Sequence, residues 1–280
     1  VNYRHAFHAG NFADVMKHIV LVLILAHLRQ KETPFRVIDT HAGIGLYDLE
    51  ADEAGRTGEW HGGIGLMDAP FEPEIEALLA PYREVVAAVR ARRGAALYPG
   101  SPAIIREMLR PADRAILLEK HPEDGLLLAE RFNSVTTTKV LREDGWTALP
   151  GLIPPRERRG LVLIDPPYEE PGELAQAVPR LARAIAKWPT GILALWYPIK
   201  DIREIDAFAR ALGRTLGAET LRLDLMVDDP RIVTRLNGSG LIIVNPPWRL
   251  KAQAEAILPA LAGRLARGQY GAFLCETLAG

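Results

Sequence analysis

Phe35-Arg-Val-Ile-Asp39, followed at once by Thr40-His-Ala-Gly-Ile-Gly45, is the stretch on which the fold turns. The first five residues are mostly apolar and read as a buried strand. Two glycines in the next six read as a tight turn into a new element. Working upstream, Asn11 with Asp14 three residues later resembles a capping box with Asp in place of Glu. Apolar periodicity then runs to Leu28, so a helix is expected from near Phe12. Working downstream, Ala115 to Glu119, Lys139 to Arg142, Leu161 to Asp165 and Gly191 to Trp196 repeat the strand character, with helical stretches between them. Such alternation predicts a parallel sheet covered on both faces. Glu219 to Val227 and Gly240 to Asn245 flank a loop containing Asn237-Gly-Ser-Gly240 with no helix between, which predicts an antiparallel pair closing the sheet. The expectation is an α/β fold with a mostly parallel, seven-stranded sheet.

One interval is too long for a simple doubly wound unit. There, an acid at the end of the second strand lies roughly 20 residues beyond the glycine turn. Glu119, the best candidate here, lies far beyond Gly45. Residues 48–98 are therefore expected to be a helical insertion within a single domain spanning 1–280, with helical periodicity from Ile75 to Arg93. Charge is uneven across this region, acidic over 48–80 and rich in arginine over 81–114. The basic part is either a solvated face or a phosphate-facing strip that includes Arg90, Arg92 and Arg93.

Composition narrows the function classes. The chain has 280 residues, 48% of them hydrophobic, enough for one α/β domain with a large core. The formal net charge is −1, so contact with a polyanion would need local patches rather than a basic whole. The single cysteine, Cys275, excludes an internal disulfide and a thiolate zinc cage, and suits a reducing cytoplasm. The apolar run Ile19 to Ala26 is too short to span a bilayer and reads as buried helix. His5 and His8 have no evident third ligand at suitable spacing, so no metal is expected.

Chemistry collects at strand ends. Asp39-Thr-His-Ala-Gly-Ile-Gly45 suits a nicotinamide or adenosyl cofactor, or a plain loop closure. Glu119 ends the next strand and could accept two ribose hydroxyls, while Asp144-Gly145 ends the third and could meet an adenine. Asp165-Pro-Pro-Tyr168 after Leu161-Val-Leu-Ile164 is the sharpest signal. The two prolines fix the backbone, so the Asp165 carboxylate and the Pro166 carbonyl project at set angles. Two acceptors on the two N–H bonds of an exocyclic amine draw its nitrogen towards pyramidal geometry and aim the lone pair at an electrophile. Tyr168 offers a face for base stacking. A nicotinamide oxidoreductase has no use for this motif. Asn245-Pro-Pro-Trp248 looks similar but follows the late antiparallel strand, and is read as structural or substrate-flanking.

Beyond these single motifs the resemblance is broad. Tyr3-Arg-His-Ala-Phe-His-Ala-Gly-Asn11 with Asp14 and Lys17-His18, the Asp39 turn, Tyr98-Pro-Gly-Ser-Pro102, Glu119 with His121-Pro122, Asp144-Gly145, Asp165-Pro-Pro-Tyr-Glu169, Ala194-Leu-Trp-Tyr-Pro198 and Asn245-Pro-Pro-Trp248 together resemble the RlmJ family. The turn departs slightly, with Ile44 between the glycines where Ala is expected. The resemblance implies a Rossmann-like, class I S-adenosylmethionine-dependent methyltransferase with a small helical insert. It further implies a cytoplasmic bacterial enzyme that methylates N6 of one adenosine in 23S rRNA, protein-free or in an early precursor, with no membrane and no obligate protein partner. By motif position, the donor would contact His18, His41, Ser101, Glu119, Asp144, Gly145 and Asp165. Asp165 would be the catalytic acceptor, Tyr3 would face the RNA, and His5, Lys17, Pro166 and Tyr168 would handle the substrate. A DNA adenine-N6 methyltransferase shares Asp-Pro-Pro-Tyr and stays open as an alternative, as does a non-catalytic RNA-binding protein on the same fold.

Overall fold

The computed structural model describes residues 4–133, 136–170, 172–229, 231–232 and 235–278. In chain order the elements are α1 (Phe12–Arg29), β1 (Arg36–Asp39), β2 (Leu46–Asp48), α2 (Asp52–Thr57), α3 (Pro73–Arg93), β3 (Leu97–Pro99), α4 (Ser101–Met108), β4 (Arg114–Leu118), α5 (Pro122–Phe132) and β5 (Thr138–Leu141). The second half holds α6 (Gly145–Leu152), β6 (Gly160–Ile164), α7 (Glu173–Lys187), β7 (Ile192–Ile199), α8 (Ile202–Leu216), β8 (Thr220–Met226), β9 (Gly238–Val244), α9 (Leu250–Leu265) and β10 (Ala272–Leu278).

The main sheet runs β10-β8-β9-β7-β6-β1-β4-β5. From β5 to β7 every pairing is parallel, and β9, β8 and β10 join antiparallel. The order reverses between β1 and β6, the topological switch point where ligands gather in open α/β sheets. This is the Rossmann-like arrangement expected of a class I methyltransferase.

All seven expected strands are present, and β10 adds an eighth. It pairs with β8, Cys275 opposite Leu223. Its residues are half-buried or exposed without alternation, and Phe273 is 43% exposed, so the periodicity that marks an ordinary strand is missing. A second correction concerns Asn237-Gly-Ser-Gly240. The three residues from Gly238 belong to β9 rather than to a loop. A Cβ on Gly240 would meet the Tyr197 ring at 2.1 Å, so the glycine is there for close packing.

The core lies on both faces of the sheet. One face carries α1, α3, α4, α5 and α9, and the other α6, α7 and α8. Helix α1 is buried almost all round, with Val15, Met16, Ile24 and Leu25 at 0% exposure. That explains the apolar run at Ile19 to Ala26 as core. No described helix is long and apolar enough to cross a membrane. The cap prediction for α1 is half right. Asn11 Oδ1 accepts from the Ala13 and Asp14 N–H groups at 3.0 Å. The Asp14 carboxylate, however, accepts from Gly10 N rather than returning to Asn11.

The chain leaves the sheet at β2 and returns at β3, which pair antiparallel with Tyr47 opposite Tyr98. Between them lie α2, two short 3-10 turns and α3. Of the basic strip, Arg92 is ion-paired to Glu107 and Arg90 Nε donates to the Leu97 carbonyl at 3.3 Å.

Candidate active site

A cleft of about 610 Å³ opens at the carboxyl edge of the parallel strands. His5, Lys17, His18, His41, Ser101, Glu119, Asp144, Gly145, Asp165, Pro166 and Tyr168 all line it. Tyr3 lies outside the described residues. The gathering follows from topology: β1, β4, β5 and β6 each end at this edge, delivering Asp39, Glu119, Asp144 and Asp165 side by side.

Each side chain is held by its own local partners. Glu119 Oε2 accepts from Gly43 N at 2.8 Å and Oε1 from His121 N at 2.7 Å. Burial pushes its carboxyl up, against these two hydrogen bonds. Gly43 has φ 58°, a left-handed turn that presents its N–H to Glu119, and a Cβ there would meet Tyr47 Oη at 2.3 Å. Asp144 caps α6 by accepting from Thr147 N at 2.9 Å, and Lys120 Nζ lies 3.0 Å from its other oxygen. Burial would raise the Asp144 carboxyl, but these partners hold it below the usual range. Gly145 is required by packing: a Cβ would meet the Thr40 carbonyl at 2.1 Å.

His41 Nδ1 lies 2.8 Å from Thr40 Oγ1, whose own proton goes to the Leu163 carbonyl at 3.0 Å. The hydroxyl must therefore accept, which puts a proton on Nδ1 and leaves Nε2 as an acceptor. Burial, reinforced by Arg180 and Lys120, pushes His41 down to about 4 against the pull of Asp165 and Asp144, so the ring is neutral at physiological pH. His18 is more deeply set, 1% exposed, with Nδ1 2.8 Å from Tyr98 Oη. Burial pushes it down to about 3.

Asp39 is fully buried; its Oδ1 accepts from His41 N at 3.4 Å, while its Oδ2 has no partner. Burial, aided by the nearby Asp165 charge, pushes its carboxyl up to about 7. From sequence Asp39 is only the start of a turn; in the fold it ends β1, between β4 and β6, at the edge where the cleft opens, without itself lining the cleft.

Lys17 links two carboxylates. Its Nζ lies 2.9 Å from Asp14 Oδ1 and forms a short contact with Asp165 Oδ2. Asp14 Oδ2 in turn accepts from Gly10 N at 2.9 Å and lies 2.8 Å from His5 Nε2. Burial would raise Asp14, but the charges of His5 and Lys17 hold it well below the usual carboxylate range. Burial would lower Lys17, and the two carboxylates outweigh it and raise it. Asp14 was read as a cap alone; its spacing of three from Lys17 on a buried helix face was the available clue.

Aromatic walls complete the cleft. Tyr168 sits at φ 51°, and its hydroxyl donates to the Trp196 carbonyl at 2.6 Å. Trp196 Nε1 donates to Ser239 Oγ at 2.9 Å, and Lys17 Nζ lies 5.7 Å from the Trp196 ring. On the Asp144 side, the Trp146 ring meets His41 edge-on at 6.4 Å and carries Arg180 at 5.0 Å. Neither tryptophan was singled out from sequence as a site residue. Asn245-Pro-Pro-Trp248 stands elsewhere, at the opposite edge of the sheet, because β9 runs antiparallel to β7.

Known proteins frame this geometry. The family model described as "Ribosomal RNA large subunit methyltransferase D, RlmJ" matches residues 32–276. The chain is 39% identical over 265 residues to Ribosomal RNA large subunit methyltransferase J of Escherichia coli K12, covering 95% of this chain and 94% of that protein. It is 37% identical over 278 residues to the protein of the same name from Haemophilus influenzae, covering 99% and 98%. Among solved structures, protein LPL1258 of Legionella pneumophila superposes with a TM-score of 0.85 at 31% identity, covering 96% of this chain and 98% of that one. With a strand-end acid at each station of the switch point and this likeness along nearly its whole length, the chain belongs to the RlmJ family of ribosomal RNA large subunit methyltransferases.

Proposed function

We propose that this chain transfers a methyl group from S-adenosylmethionine to the exocyclic N6 of a specific adenosine in 23S rRNA. The observation that carries the reading is the Asp165-Pro166-Pro-Tyr168 corner. Asp165, Pro166 and Tyr168 all line a cleft that Glu119 and Asp144, two further strand-end acids, also line. The named relatives are rRNA methyltransferases, which favours RNA over DNA as the polymer.

The residues present fit the cofactor. Asp39 Oδ2, buried without a partner, and the neutral His41 Nε2 are acceptors for a ligand that brings donors and positive charge. We assign Glu119 to the ribose hydroxyls. Ser101, His18, Asp144 and Gly145 complete the lining we assign to it. S-adenosylmethionine, when bound, supplies a methyl group already activated on a sulfonium.

The protein's part is then alignment and electrostatics. Lys17 engages Asp165 Oδ2, and we assign the other oxygen, with the Pro166 carbonyl, to the two N–H bonds of the amine. Tyr168 stacks the base, held by its hydroxyl on Trp196. Asp165 is the first acceptor for the proton released on transfer. His5 and Lys17, tied together through Asp14, order the rim on which the RNA strand lies. The target base must leave its stack to enter. Residues 48–98 are taken as an insertion within one methyltransferase domain, acting in the cytoplasm on protein-free or early precursor rRNA.

The test offers labelled donor with protein-free 23S rRNA and, separately, duplex DNA, followed by nucleoside analysis. N6-methyladenosine from the RNA alone is expected. Label only in DNA would make the enzyme a DNA methyltransferase, and no label in either would leave a binding protein.

A further inference from the structure

A second pocket, of about 340 Å³, lies at the opposite edge of the sheet, beneath the amino ends of β1, β4 and β6. None of the residues assigned above reaches it. Its charged lining is Arg36, Arg114, Arg156 and Glu157.

The arrangement of the arginines calls for an explanation. Arg36 opens β1 and Arg114 opens β4, and the two are in direct register. Residues in register on neighbouring parallel strands project from the same face, roughly 5 Å apart, and like charges so placed repel. On the other side of β1, the register partner of Arg36 is Gly160, which brings no side chain.

Internal neutralisation is incomplete. Glu157 Oε1 lies 2.9 Å from Arg36 Nη2. Arg114 Nη1 donates only to main-chain carbonyls, Pro111 at 2.8 Å and Asp113 at 2.7 Å. The nearest spare acid, Asp113, is taken by Arg110 at 2.8 Å and by Phe35 N at 3.1 Å. Arg156 has no hydrogen bond or ion pair among the described residues. Within the buried part, Arg36 Nε has no partner, and neither has Glu157 Oε2. Three arginines thus line one hollow against a single carboxylate, with a buried donor unmet. Guanidinium donors match the oxygens of a tetrahedral oxyanion in charge and direction.

We propose that this pocket is a phosphoryl-binding site, held by Arg36, Arg114 and Arg156. The phosphoryl group comes either from the backbone of the substrate RNA, on the reading given above, or from a free phosphate compound. Strands of five residues at about 3.3 Å each put the pocket roughly 17 Å from the reaction cleft. That is a distance one folded RNA element spans.

The full-length protein is titrated with inorganic phosphate by calorimetry, as wild type and as Arg114→Gln and Arg156→Gln. Thermal midpoints check that each variant folds. Wild type is expected to bind, and each variant to bind at least about tenfold more weakly, because each removes one of three charge-assisted contacts. Affinity for a 23S rRNA fragment is then measured against salt for wild type and the double variant. A slope reduced by about one phosphate contact assigns the group to RNA. An unchanged slope, with phosphate binding lost, assigns it to a free phosphate compound. Wild type that binds no phosphate and a double variant with an unaltered salt slope would together overturn the site. Methyl transfer at saturating RNA stays at the wild-type rate in all variants, so this outcome is separate from that of the adenine-N6 reading.

Discussion

The molecule contains the same short phrase twice, with opposite results. Asp165-Pro-Pro-Tyr168 follows β6 and Asn245-Pro-Pro-Trp248 follows β9, and each has a non-glycine residue at positive φ, Tyr168 at 51° and Asn245 at 54°. Strand direction separates them. β6 runs parallel to β1 and delivers its corner to the switch point, while β9 runs antiparallel to β7 and delivers its corner to the far edge. Asp165 meets Lys17 in the cleft. Asn245 spends its amide on two main-chain carbonyls, Pro189 and Gly191, both at 2.8 Å. Tyr168 faces the cleft, whereas Trp248 is 72% exposed under Arg249. A motif therefore carries chemistry only through the edge to which topology sends it.

Substitution at matched positions can break this contrast. Asp165→Ala is expected to lower the rate of methyl transfer at least about 10³-fold with the fold intact, since it removes an oriented acceptor from the reacting amine; wild-type turnover in that variant would sink the assignment. Tyr168→Ala is expected to cost about 1–3 kcal/mol of base interaction, read as a roughly ten- to hundredfold fall in kcat/KM. Asn245→Ala should leave turnover alone and lower unfolding free energy by about 2 kcal/mol, from two lost hydrogen bonds and a left-handed backbone. If it instead stops catalysis while sparing stability, the two corners are not distinct in role. Trp248→Ala should change both readouts by less than about 0.5 kcal/mol.

A pH experiment sharpens the cleft side. His41 titrates at about 4 in the folded chain because burial disfavours its cation. The unfolded chain takes up that proton below about 6.5, so acidification from 6.5 towards 4 favours unfolding. Asp39, raised to about 7, works the opposite way over the same range. Comparing wild type with His41→Gln cancels the Asp39 contribution. The variant should gain relative stability as pH falls from 6.5 to 4, on the order of 2 kcal/mol at the acid end, measured by urea unfolding. A difference that does not vary with pH would mean that His41 is not held neutral.

Sequence reading went furthest where a local signal and topology agree. The strands β1, β4, β5, β6 and β7 are short, apolar and separated by helices, so each is legible alone, and their carboxyl ends then locate Glu119, Asp144 and Asp165. β10 was not legible, because an edge strand half-open to water needs no alternation and its pairing partner, β8, lies far back in the chain, before β9 and α9. Gly238 and Gly240 looked like loop because glycine is the usual mark of a turn, while here both lie in β9, where Gly240 makes room for the Tyr197 ring and Gly238 for the Leu225 carbonyl. The roles of Asp14, Trp146 and Trp196 depend on three-dimensional neighbours from distant segments, which spacing along one element does not report.

Asp14 has a practical consequence for anyone preparing the protein. Two of its three donors, the Gly10 amide and the His5 ring, come from the segment ahead of α1, and the third is the lysine that touches Asp165. A bulky affinity tag or a careless proteolytic trim at the amino end would therefore unsettle the reaction centre through this carboxylate. The eight-stranded sheet would survive, so circular dichroism would pass as healthy a preparation that had lost its enzymology.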